Sequence, residues 1–270
     1  MNMFYLILFF IFVFGLIIGS FLNCLIWRLR KKESLMGRSY CPKCKNQIAW
    51  YDNVPVLSFI LLGGKCRHCH KPISWQYPVV ELVTGILFVA AFIINFQFSI
   101  SNFQTISNFQ FPNMFIIQLF RDWFLIAVMI VIFIYDLRWY LILDSVVLPA
   151  CLVVFIFNLM VGSFGWLNLL FSGIIGGSFF LIQYLISQGK WIGGGDIRLG
   201  LLMGLALGWP NILVAIILAY FLGSLVAIYL ILAKKKQWGS QLPLGVFLAP
   251  ATIIVLFWGE KIINWYINLL

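Results

Sequence analysis

The sequence predicts an all-α polytopic membrane protein of about eight transmembrane helices with one small zinc-binding cytoplasmic insert. Three observations lead there. Of the 270 residues, 63% are hydrophobic and 10% charged, against about 25% charged in soluble domains. Apolar runs close to the ~20 residues that cross a bilayer recur along the whole chain. Four cysteines stand in two CxxC pairs inside the one long polar segment near the N-terminus.

The hydropathy pattern predicts spans over residues 3–27, 79–98, 115–135, 145–162, 166–187, 197–209, 211–233 and 242–259. Three segments follow from it: a first transmembrane helix over 1–27, a four-cysteine insert over 28–78, and a helical bundle over 79–270. The first run has no basic residue before it and is too long for a signal-peptide core, so it reads as a retained helix. The sixth is short and glycine-rich, as a tilted or broken helix would be. Residues 262–270 read as an interfacial tail with Trp265 and Tyr266 at headgroup depth. Between the second and third spans, residues 101–104 return as 107–110, the pattern of a low-complexity outside loop that closes near Pro112. Glycines four apart (Gly15 and Gly19; Gly173 and Gly177; Gly200, Gly204 and Gly208) mark faces where helix backbones approach closely.

A net charge of +10 could point to nucleic acid, but its placement points elsewhere. Of 18 basic residues, 16 fall in alternate loops, ten of them between the first two spans. The positive-inside rule puts those loops in the cytoplasm and the N-terminus outside. The basic excess then reports topology and contact with anionic lipid, and no nucleic-acid partner is expected.

Cys41 and Cys44 are separated from Cys66 and Cys69 by 21 residues, a spacing that brings four thiolates to one tetrahedral ion. Lys43, Lys45, Lys65 and Arg67 beside the knuckles favour the thiolate form. The rival reading is two disulfides, which requires an oxidising compartment, whereas the charge pattern places the loop in a reducing one. His68 and His70 flank Cys69, yet four cysteines already fill the shell, which leaves both imidazoles to the surface. A closed shell has no position for a reacting water, so the zinc is expected to be structural, a staple for a loop too small to fold on its own core. Cys24 and Cys151 fall inside spans as packing residues.

Only eight acidic residues exist, and an ionisable group at a span is a functional candidate. Asp136 ends the third span, and Asp196 closes the run Gly193, Gly194, Gly195 at the start of the sixth. By the charge pattern both lie at the cytoplasmic boundary. Two carboxyl groups that share a proton can activate a water between them, which is the chemistry of aspartyl proteolysis. The glycines let a peptide or a partner helix approach the Asp196 backbone. The competing readings are a helix cap for Asp196 and an ion pair with Arg138 for Asp136. Asp144, followed by Ser145 ahead of an apolar run, reads as an N-cap. With His68 and His70 the only histidines, neither an HExxH zinc protease motif nor an intramembrane Ser-His pair is available.

The order of short motifs adds a resemblance. Gly19-Ser-Phe-Leu-Asn23 with Arg28, the two CxxC pairs, and Asp52-Asn-Val-Pro-Val-Leu-Ser58 come first. Ile73-Ser74, Tyr77-Pro78 and Glu81-Leu-Val-Thr-Gly85 follow, then Asp136, Leu143-Asp144, Leu148-Pro149, the Gly193 to Asp196 run and Leu242-Pro-Leu-Gly-Val-Phe-Leu248. Over nearly its whole length the chain resembles the type IV prepilin peptidases of pilus and type II secretion systems, GxGD-type aspartic peptidases that are also N-methyltransferases.

The resemblance implies that Asp136 and Asp196 are catalytic, with Gly193, Gly195, Arg198 and Asp144 supporting the site or the substrate. It implies prepilin or pseudopilin precursors as substrates. They would be cut after the glycine that ends a basic leader, on the cytoplasmic side of the bacterial inner membrane. Methylation of the new N-terminus by S-adenosylmethionine is implied by resemblance only, since no glycine-rich strand-turn-helix for that cofactor is visible in the sequence. Two positions depart mildly from the family pattern: Arg198 where Lys is frequent, and Leu242-Pro-Leu where Ile-Pro-Phe is more usual. A rival of another class is a noncatalytic membrane scaffold or carrier with a zinc-stapled docking loop, its aspartates serving as caps or ion contacts. Close approach of Asp136 and Asp196 discriminates between the two.

Overall fold

The computed structural model describes residues 2–103, 111–237 and 241–269. In chain order it holds α1 (Asn2–Lys31), a short 3-10 turn (Trp50–Asn53), α2 (Leu57–Leu61), α3 (Gln76–Phe103), α4 (Phe111–Trp139), α5 (Asp144–Val161), α6 (Trp166–Ser187), α7 (Gly194–Leu207), α8 (Asn211–Leu232) and α9 (Gly245–Ile267). Among the described residues the only β pairing is two isolated bridges, Tyr40 with Gln47 and Lys65 with Pro72. The protein is all-helical and multi-pass.

Among the described residues, seven helices are long and apolar enough to cross a membrane: α1, α3, α4, α5, α6, α8 and α9. The sixth expected span, 197–209, forms a helix, α7, but its 14 residues rise only about 21 Å, short of a hydrocarbon core of about 30 Å. One expectation changes, and another falls largely outside the described residues. The tail expected over 262–270 is helical as far as Ile267, because Glu260 and Lys261 end the apolar run without breaking the backbone pattern. The repeat over 101–110 lies mostly outside the described residues, although α3 carries its first three.

The chain divides into two compact units, Met1–Ile93 and Ile94–Leu270. In the first, α1 and α3 meet through the glycines singled out in the sequence. A Cβ at Gly15 would stand 2.7 Å from Gly85 Cα, and one at Gly19 would stand 2.7 Å from Glu81 Cα, so only hydrogen permits this approach. Motif residues hold the chain between these helices. Arg28, buried at the end of α1, donates to the carbonyls of Ser34 (2.9 Å), Leu35 (2.5 Å), Gly37 (2.9 Å) and Arg38 (3.3 Å), and the chain leaving the helix wraps around it. Asn23 Nδ2 donates to Tyr77 O at 3.1 Å and accepts through Oδ1 from Gln76 Nε2 at 3.1 Å. Glu81 Oε2 accepts the Val56 amide at 2.8 Å. Val56 has φ +62°, an outlier for a β-branched residue, and the buried carboxylate holds it there.

In the second unit α7 lies at the centre, packed against α5, α6, α8 and α9, with Leu199, Leu202 and Met203 fully buried. The tightest seam is α6 with α7. A Cβ at Gly200 would strike the Gly176 carbonyl, and one at Gly204 the Ser172 carbonyl. Ser172 Oγ crosses the same seam to Gly204 O at 2.7 Å. The close glycine on α6 is thus Gly176 rather than its neighbour Gly177, whose Cβ would rest in ordinary contact 3.7 Å from Ile197 O.

The C-terminal end of α7 stops inside the bundle, where its last carbonyls need donors. Asn158 Nδ2 supplies them, to Leu205 O at 2.7 Å and Ala206 O at 3.3 Å. Behind it, Arg121 donates to Asn158 Oδ1 at 2.9 Å and pairs with Asp122 at 2.7 Å, and Asp122 also accepts from Asn95 Nδ2 at 2.8 Å. The buried charges are therefore paired and hydrogen-bonded, the condition under which a low-dielectric interior tolerates them.

Candidate functional site

The insert brings Cys41, Cys44, Cys66 and Cys69 together, with their sulfurs all within 4.8 Å of one another. Each knuckle closes on itself: the Lys45 amide donates to Cys41 O and the His70 amide to Cys66 O, both at 2.9 Å. Cys41 Sγ and Cys69 Sγ are 3.9 Å apart and all six cysteines are free, which removes the disulfide alternative. Zinc–sulfur bonds of ~2.3 Å in a tetrahedron set an edge of about 3.8 Å, so the donor set fits such an ion. His68 and His70 are both exposed, as the filled shell requires.

The four thiols are not alike. Backbone amides of Cys69 and His68 pull the Cys66 thiol down to about 6. The Asn46 amide favours the Cys44 thiolate, but desolvation and the neighbouring sulfurs outweigh it and push Cys44 up to about 11. Four like charges cannot gather here without a cation between them. Beside the knuckles Arg67 forms a bidentate pair with Asp52 at 2.8 and 2.6 Å, and its guanidinium holds the Asp52 carboxyl below the usual carboxylate value.

In the second unit Asp136, in the last turn of α4, and Asp196, in the first turn of α7, are 5% and 6% exposed. They are carried on separate helices, and their carboxyl groups lie within electrostatic reach of each other. Asp196 Oδ2 accepts the Gly193 amide at 2.9 Å, and its own amide donates to Gly193 O at 3.1 Å. The cap expected for Asp196 is therefore real, and it fixes the carboxylate at the helix end. One carboxylate oxygen, Oδ2, is used in the cap.

Asp136 faces the start of α9, where the Gly245 and Val246 amides stand beside its carboxyl. A helix N-terminus favours negative charge. Its Oδ2 is nevertheless buried with no hydrogen bond completed. A Cβ at Gly245 would lie 2.8 Å from this oxygen, so glycine is what lets α9 end on the acid. Sequence reasoning noted the Leu242–Leu248 stretch without singling out Gly245. Tyr220 of α8 was also missed; it donates to Gln183 Oε1 at 2.8 Å and lies within electrostatic reach of Asp196.

The remaining candidates resolve individually. Gly195 packs on Ile142, whose Cβ would be 2.8 Å from a Cβ at 195, whereas Gly194 opens onto free space. Asp144 is not an N-cap: Leu143 holds that position and no side chain caps it. Asp144 is the first residue of α5, and it pairs with Arg198 of α7. A partner 54 residues away offers a full charge, which outcompetes the local amide.

Two family models match the chain: the bacterial peptidase A24 N-terminal domain over residues 13–95 and the type IV leader peptidase family over residues 123–228. The prepilin leader peptidase/N-methyltransferase of Aeromonas hydrophila is 30% identical, covering 96% of this chain and 93% of its own. The chain belongs to the type IV leader peptidase family. Proteins of the same description from Bacillus subtilis (strain 168) and Legionella pneumophila are 29% and 27% identical over 96% and 95% of this chain. No solved structure matches it. A member of this family is an enzyme, and the relatives named above are N-methyltransferases as well. The matched segments cover both the cysteine insert and the helices that carry Asp136 and Asp196.

Proposed function

We propose that Asp136 and Asp196 are the catalytic pair of an aspartic endopeptidase. Its reaction is removal of the basic leader of prepilin-like precursors, after a glycine, at the cytoplasmic face of the bacterial inner membrane. The observation that supports this reading is two buried carboxyl groups on separate helices within electrostatic reach of each other, one of them with an oxygen left unbonded. Two buried acids that a bridging water can link hold one proton between them.

In the reaction the ionised carboxylate takes a proton from water, and the oxygen so activated attacks the carbonyl carbon of the glycine. The protonated carboxyl gives its proton to the carbonyl oxygen. The tetrahedral intermediate then collapses, its C–N bond breaks, and the new amino terminus leaves with the proton returned from the pair. Gly194, with open space above it, is where the extended substrate backbone can pass. The Gly193 amide orients Asp196, and the Asp144–Arg198 pair ties α5 to α7 beside it. A scaffold role for the aspartates finds no support in membership of a peptidase family.

Zinc would be held by Cys41, Cys44, Cys66 and Cys69, where it supplies a cross-link and no chemistry on substrate. N-methylation is carried over from the relatives' names. Among the described residues no strand leads through a glycine-rich turn into a helix, so the usual cradle for S-adenosylmethionine is not available, and no step is routed through that cofactor. The topology proposed is N-terminus outside, with the basic insert and both aspartates inside.

Coexpression with a candidate precursor tests the reading. Asp136→Asn and Asp196→Asn should each abolish leader cleavage while the protein accumulates in the membrane at the normal level. Cleavage retained in both variants would overturn the dyad.

A further inference from the structure

The insert turns one apolar face outward. On α2, Ser58 is buried and donates to Tyr51 O at 3.0 Å, while Leu57, Ile60 and Leu61 are 58%, 65% and 82% exposed. A helix on a soluble domain shows the opposite arrangement, with apolar residues inward. Trp50, on the 3-10 turn that packs against α2, is 78% exposed, and Trp75 is 73% exposed.

Two contacts fix the level of this face relative to the membrane. Trp75 immediately precedes the span that begins at Gln76, and the Phe59 ring of α2 packs on it with centroids 4.9 Å apart. The amide of Val56, which caps α2, is bonded to Glu81, five residues into that span. A rise of 1.5 Å per residue puts Glu81 roughly 8 Å along the helix. The α2 segment is therefore held at the depth of the first turns of a transmembrane helix. Exposed apolar side chains at that depth meet lipid headgroups and the ends of acyl chains, where Trp is favoured.

The charge nearby agrees. Lys65 follows α2 after the Gly63-Gly64 turn and Lys71 stands four residues before Trp75, both exposed. The only acidic residues between α1 and α3 are Glu33, bonded to the Tyr40 hydroxyl, and Asp52, bound to Arg67. Basic residues at a membrane surface attract anionic lipid.

We propose that Leu57, Ile60 and Leu61, with Trp50 and Trp75 beside them, form an interfacial anchor that seats the four-cysteine insert in an anionic bilayer surface. The depth argument rests on the span alone; only the sign of the lipid charge rests on the cytoplasmic placement proposed above.

The full-length protein is tested in nanodiscs of phosphatidylcholine and phosphatidylglycerol with brominated or plain acyl chains. The difference in fluorescence between the native protein and Trp50→Phe isolates Trp50, an exposed residue whose replacement leaves the fold intact. Loss of the Trp50 signal in brominated discs is expected, deeper with phosphatidylglycerol than with phosphatidylcholine alone. Unquenched Trp50 in both compositions overturns the anchor. Equal quenching in both keeps the anchor in part but overturns the anionic preference, and with it the support for the cytoplasmic side, leaving the dyad untouched. In parallel, a benzophenone amino acid at position 61 should give a phospholipid adduct on irradiation. An adduct to protein alone would overturn the proposal in favour of a protein partner.

Discussion

Asn158 of α5 donates to Leu205 O of α7 at 2.7 Å, so the end of α7 opposite Asp196 is held by a side chain from another helix. The same amide is fixed from behind by Arg121, itself paired with Asp122. Asn158→Ala leaves the α7 carbonyls and an Arg121 donor without partners, which should cost about 2 kcal/mol. The expected outcome is a lower midpoint of thermal unfolding in detergent, together with reduced leader cleavage. An unchanged midpoint would show that water replaces the side chain.

The α6–α7 seam gives a contrast between adjacent glycines. Gly204→Ala drives a methyl into the Ser172 carbonyl, and overpacking of this kind costs typically about 1–3 kcal/mol. Gly177→Ala meets its nearest atom at 3.7 Å and should be tolerated. Membrane accumulation and thermal stability of the two variants, measured side by side, should separate clearly.

Purified protein should contain one zinc ion per chain by elemental analysis. Cys66→Ser removes one of the four clustered thiols and should lose the metal. The same variant should make residues 38–75 sensitive to protease while the helical bundle stays resistant, since the cysteines staple only the insert.

Arg67 holds the Asp52 carboxyl below its ordinary value of 3.8. A carboxylate depressed in the folded state contributes stability that is fully present above its unfolded pKa and is lost as pH falls through the folded one. The insert should therefore be indifferent to this pair from neutral pH down to about 5, and lose its contribution only below the ordinary carboxylate range. Arg67→Met should raise the Asp52 pKa, as read by carbon NMR of the carboxyl group, and an unmoved value would show that the pair is not formed in solution.

The sequence carried the spans and the metal cluster because each is encoded locally, by apolar runs and by two CxxC pairs. Asp136 and Asp196 stood out as candidates for a related reason: a carboxylate at the edge of an apolar run has few uses. What it did not carry depended on partners far along the chain. Asp144 looked like a cap because Asp before an apolar run often is one, and Arg198 lies beyond a local pattern's reach. Gly176 and Gly177 are indistinguishable until the rotation of α6 against α7 is known, and Gly245 gains meaning only from the acid beside it. Asn158 and Arg121 sat inside or beside apolar runs as isolated polar residues, with nothing in sequence to join them. The bounds of α7 moved from 197–209 to Gly194–Leu207, because its glycine-rich start and Gly208 read equally well as helix or as breaks.

The shortness of α7 also bears on how the chain enters the bilayer. Fourteen residues offer too little apolar length for a helix to leave an insertion channel unaided. The strongly apolar α8 begins after only three residues, so the pair must partition as one hairpin. Asp196 carries its own cap from Gly193, whereas Asp136 is enclosed only once Gly245 of α9 lies against it, so the surroundings of the two acids are completed at different stages of bundle assembly.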